Sequence, residues 1–378
     1  MLFSLLFALQ ILGFGLCSEQ DISDAILVTS QENSPETITV PLLKRRNEVY
    51  INIGVGNPVQ AVKAKLDFQT YYSLFVDKDS NFFGKEGAFN GAYSISSDTI
   101  FDKKHNVTLE KDPSSTILGF YGESYVSIGN RSVKRHFLDI TYQYPKNPSY
   151  IKKFYVDPKD SKGVTPGYLD YQKYESDGIT NGFLGLEPRF KDTPPNGFFS
   201  NETSIMDFLG PDQMVTIDMR DGKSLFSLGN AINANENINW INSIESDTFE
   251  FIIEDVKIGE EKISIRDYGT TAVINPRYLD IYVEKSVSNV INHYASTILP
   301  GCRTNFPNVM FKTNYGSIGL KPESFLKPDG YYCNSNVKPI DSPYPSKKWI
   351  FGWSFNKGRA IVYDYKQSRV GFVDQEGY

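Results

Sequence analysis

At 378 residues the chain exceeds one hydrophobic core of ordinary size and suits two packing units. Hydrophobic residues are 40% of it and charged residues 22%, enough apolar side chain to form a core and to exclude intrinsic disorder. The net charge of −6 gives no basic footprint for nucleic acid, and 26 Phe and 24 Tyr favour half-buried pleated sheets.

Residues 2–17 are apolar apart from Ser4 and Gln10, a stretch too short for a comfortable membrane span. Small residues Gly15 and Cys17 sit where a signal peptidase cuts, so 1–17 reads as a signal peptide, with an uncleaved anchor as the alternative. Residues 18–46 read as a polar leader or short pro-segment. Its Lys44-Arg45-Arg46 run suits a solvated strand edge better than a processing site. Val49, Ile51, Ile53 and Val55 then keep period two up to a Gly56-Asn57-Pro58 turn, and a second strand from Ala61 to Leu66 ends at Asp67. Helical periodicity is confined to short stretches around Thr203–Phe208 and Val283–Ile298, so the class is mainly β. Sequons at Asn106, Asn130 and Asn201 agree with secretion. If Cys17 leaves with the signal, Cys302 and Cys333 remain and should pair in an oxidising compartment. His105, His136 and His293 have no zinc-like spacing to cysteine, so no metal is expected. No phosphate-cradling glycine loop or calcium-loop spacing occurs, and no cofactor is expected. The polar carboxyl end carries no lipid-anchor or retention signal.

The segment from Tyr50 through Gly54, Pro58 and Gln60, then Val62 to Asp67 and Leu74-Phe75-Val76, resembles the first active-site region of pepsin-like aspartic proteases. Phe120 to Gly129, with Tyr121-Gly122, resembles the flap hairpin, and Gly182-Phe-Leu-Gly-Leu186 the element closing the first lobe. Trp240 and Phe249 to Gly259 resemble the strands before the second active-site loop, and Ala272-Val-Ile-Asn275-Pro-Arg277 stands where that loop would be. Trp349-Ile-Phe-Gly352, Tyr363-Asp364 and Arg369-Val-Gly-Phe372 resemble the closing signature. The resemblance implies two β-rich lobes, 47–222 and 223–378, facing across a cleft, with Cys302 and Cys333 as the second-lobe disulfide. It also implies a substrate-binding surface that includes Tyr121, Gly122 and Phe75.

In that family two carboxyl groups share one proton and hold one water; one acts as base while the other polarises the scissile carbonyl. Asp67 matches the first carboxyl, but the second position is Asn275, an amide that neither gives nor takes a proton at working pH. Pro276 lacks the backbone N–H that spontaneous deamidation would need. Where the family has Asp-Thr-Gly, the chain has Asp67-Phe68-Gln69 and Asn275-Pro276-Arg277, so both cross-bracing threonines and both glycines are gone. One extra residue precedes Leu74, and Phe75 replaces the tryptophan that would bond Tyr121. Asp267 and Asp280 flank the second loop, but neither falls in register to supply the missing acid. The expectation is a secreted, monomeric, catalytically inactive pepsin-like glycoprotein, extracellular or in a lysosome-like compartment, free of the membrane after signal cleavage. Its ligand would be an extended peptide or a protein. The alternatives are a working aspartic endopeptidase using Asp67 with another acid, and a structural or storage glycoprotein.

Overall fold

A computed structural model of the chain describes residues 37–45, 48–69, 73–82, 100–112, 115–145, 182–188, 205–246, 248–263, 265, 270–297, 302, 306–340 and 348–374. The alternation that begins at Val49 becomes the strand Glu48–Val55, and its period of two buries Val49, Ile51, Ile53 and Val55 on one face. Gly56 turns the chain with φ 84°, a left-handed conformation that costs glycine little. The chain returns as Gln60–Asp67, antiparallel, with Ile51 opposite Ala64.

These strands lie in the first of two eight-stranded sheets. Gln60–Asp67 pairs on its other side with Gly182–Gly185, in parallel, with Asp67 opposite Gly185. Leu74–Phe82 follows antiparallel to Gly182–Gly185. Arg131–Pro145, Ser115–Ile128 and Ile100–Asp112 extend the sheet outward. The short strand Leu43–Arg45 forms the opposite edge, with Lys44 exposed as a solvated edge requires.

The second eight-stranded sheet repeats the central device. Phe251–Ile258 pairs antiparallel with Thr270–Ile274, which pairs in parallel with Trp349–Phe351, Ile274 opposite Phe351. Each half therefore ends one central strand at a loop, Asp67 in the first and Asn275 in the second, beside a parallel neighbour. Helix Lys285–Thr297 buries Val287, Ile291 and Ala295 at a spacing of four, one stripe per turn. The short helical stretch expected near 203–208 is a single 3-10 turn, Ile205–Phe208. Cys302 and Cys333 are joined, with their Cα atoms 4.9 Å apart.

A six-stranded sheet joins the halves. It orders Ile38–Pro41, Leu225–Leu228, Met214–Asp218, Arg359–Asp364, Arg369–Asp374 and Asn239–Asn242, drawing on the start, middle and end of the described chain. One buried cluster runs through these three sheets, from Ile51 and Leu66 through Phe226 and Tyr363 to Phe251 and Ile274. The architecture is mainly β and pepsin-like, as the sequence implies.

Burial raises the phenol pKa of Tyr363 and of Tyr365 well above the ordinary 10.0. The folded state holds these protons more tightly than the unfolded state does. Their contribution is therefore complete below the ordinary tyrosine pKa and is lost as pH rises beyond it. Urea midpoints should fall steeply above about pH 10, and Tyr363→Phe should flatten that fall.

Candidate active site

Asp67 closes its strand with 1% of its surface exposed, so its carboxylate must find partners inside the protein. The strand end fixes its backbone, since the Leu186 N–H donates to the Asp67 carbonyl at 2.8 Å. Its Oδ1 accepts the Gln69 backbone N–H at 3.0 Å, and also the Asn275 Nδ2 at 2.8 Å. Asn275, fully buried, is held by its own N–H donating to the Phe351 carbonyl at 3.0 Å. The two loops therefore meet at one point, joining residues 208 apart in sequence.

The amide at this point is used as an amide. Nδ2 has two hydrogens, and besides Asp67 it reaches Gln69 Oε1 at 3.0 Å, while Oδ1 accepts the Arg277 backbone N–H at 3.2 Å. A carboxylate in its place would set an oxygen against two acceptors. Arg277 completes the cluster: its Nη1 lies 2.7 Å from Asp67 Oδ2, with the side chains 8% and 1% exposed. The guanidinium stacks over Phe183 of the first half, 4.4 Å from the ring centroid, and lies 5.5 Å from Tyr278. An arginine carries its charge at every working pH, so Asp67 faces a fixed cation and a neutral amide.

Behind the loops, aromatic contacts stand where threonines would brace. Phe68 stacks on Tyr363 at 3.7 Å and 15°, and Phe249 meets both rings edge-on. The Tyr363 hydroxyl donates to the Ile274 carbonyl at 3.3 Å, and that of Tyr365 to the Leu186 carbonyl. One short stretch of the six-stranded sheet and its following turn thus grips the strand end behind each loop.

The other candidate residues fall elsewhere. Phe75 is fully buried against Phe137, ring centroids 5.1 Å apart, and forms core rather than a ligand-facing surface. Tyr121 and Gly122 lie inside the continuous strand Ser115–Ile128, opposite Leu138 and Phe137 of Arg131–Pro145. Further along that strand Ser124–Ile128 keeps alternating buried and outward residues, and Gly129-Asn130 supplies the tight turn into Arg131–Pro145. Asp280 is paired with Lys338. Asp267 and Asn201 lie outside the described residues. Asn106 is on the strand Ile100–Asp112 and Asn130 is in an exposed turn. Among the described residues no group of three metal-ligating side chains gathers.

Sequence reasoning marked Gln69 and Arg277 only as lost glycines. The signal lay in the simultaneous replacement of both by long hydrogen-bonding side chains.

Two strand-end loops meeting between two β-rich halves over a shared six-stranded sheet define the pepsin-like class. Residues 215–375 match the family model described as eukaryotic aspartyl protease. No curated protein matches the chain.

Removing one member of a buried ion pair leaves an uncompensated charge. Arg277→Gln should therefore cost about 3–5 kcal/mol, whereas Asp67→Asn combined with Arg277→Gln should cost clearly less than the sum of the single changes. Thermal unfolding of the four proteins of the cycle checks this; additive losses would show that the pair is not coupled.

Proposed function

We propose that this pepsin-like protein does not hydrolyse peptides and instead binds extended peptide or protein ligands, as a glycoprotein of the secretory route. The observation carrying the first half is the hydrogen bond from the Asn275 amide to Asp67, capped on the other carboxylate oxygen by Arg277. Hydrolysis requires a base to take a proton from water and an acid to polarise the carbonyl. Asn275 offers no acid, Arg277 gives up no proton, and both oxygens of Asp67 already accept hydrogen bonds. Loss of general acid–base function alone costs about a hundredfold to ten-thousandfold. The ligand half rests on the pepsin-like lobes, which present strand edges to which an extended peptide can add.

The test is incubation of the full-length protein with denatured haemoglobin from acid to neutral pH, with and without pepstatin. No cleavage is expected, and none from Asn275→Asp, because Arg277 still holds Asp67. Pepstatin-sensitive cleavage by the unaltered protein overturns inactivity and restores the endopeptidase reading. Cleavage by Asn275→Asp alone would show that Arg277 does not block the site. Binding is read separately on immobilised haemoglobin peptides, and retention of none overturns the ligand half.

A further inference from the structure

We infer that Asn130 carries an N-linked glycan. Ile128 and Arg131 face each other across the hairpin of Ser115–Ile128 and Arg131–Pro145, so Gly129-Asn130 is a two-residue turn. Gly129 takes φ 58°, the conformation that a tight hairpin turn requires at its first central position. A Cβ at Gly129 would come 2.6 Å from Ile38 Cγ2, so the inner side of the turn is packed. Asn130 has neither task. Its φ is not positive, its side chain is exposed, and its amide makes no hydrogen bond to the described residues. The neighbouring Arg131 side chain is drawn away to the Phe208 carbonyl. Ser132, the hydroxyl residue of the sequon, is exposed, and its Oγ lies 2.9 Å from that of Ser127. An asparagine without structural duty, on an exposed turn two residues before a hydroxyl, leaves open solvent for a bulky polar group.

In the transfer, Asn130 Nδ2 forms a bond to C1 of the first sugar and loses one proton. The glycosyl–phosphate bond of a polyprenyl-diphosphate-linked oligosaccharide breaks, and the lipid diphosphate leaves. The inference rests on entry of the chain into the secretory pathway and is independent of whether the site hydrolyses peptides.

The experiment expresses the full chain in secretory eukaryotic cells and removes glycans with peptide N-glycosidase in ¹⁸O-water, which marks each released asparagine by mass. The label should appear at Asn130, vanish in Ser132→Ala and persist in Ser132→Thr, while Asn130→Gln should melt as the unaltered protein does. Secreted protein unlabelled at Asn130 overturns the glycan. Protein retained in the cytosol overturns secretory entry and the glycan with it, leaving the hydrolysis test untouched.

Discussion

A single buried carboxylate dictates the centre of this molecule. Asp67, at 1% exposure, cannot keep its charge without donors and an opposite charge close by. In an acid-protease dyad the second carboxyl meets this need by holding a proton that both share. Here the same need is met by a neutral amide on one oxygen and a guanidinium on the other, and neither supplies a transferable proton. Stabilising the resting charge and activating water are competing uses of the same lone pairs, and the described contacts serve the first.

The surrounding substitutions make sense as one set. Glycine at positions 69 and 277 would leave open space between the loops. Gln69 and Arg277 fill it with the acceptor that the second Asn275 hydrogen needs and the cation that Asp67 needs. Phe68, in place of a bracing threonine, exchanges a hydrogen bond for a stack on Tyr363, whose hydroxyl still ties the opposite strand end. The brace thereby passes from the loops themselves to the six-stranded sheet beneath them.

Much of this was legible in the sequence where the determinant is local. Period-two burial from Val49, the stop at Asp67, the helix within 283–298 and the pairing of two lone cysteines all follow from neighbours or from counting. The second-position amide was legible because fixed landmarks surround Asn275. The partners of that amide were not, since a substitution shows what is missing at a position and not where the new side chain will reach across the gap between halves.

The same geometry constrains what a ligand could meet. A peptide drawn through the centre of an acid-protease cleft lies against loops whose glycines allow close backbone approach. In this protein the approach ends at the Arg277 guanidinium, sandwiched between Asp67 and Phe183 and almost excluded from water. Displacing it would leave two opposite charges to be solvated or matched again, a cost a neutral backbone cannot offset with one hydrogen bond. Under the proposed binding reading, segments that add to strand edges or lie over the joined loops are therefore favoured over segments that must pass between them.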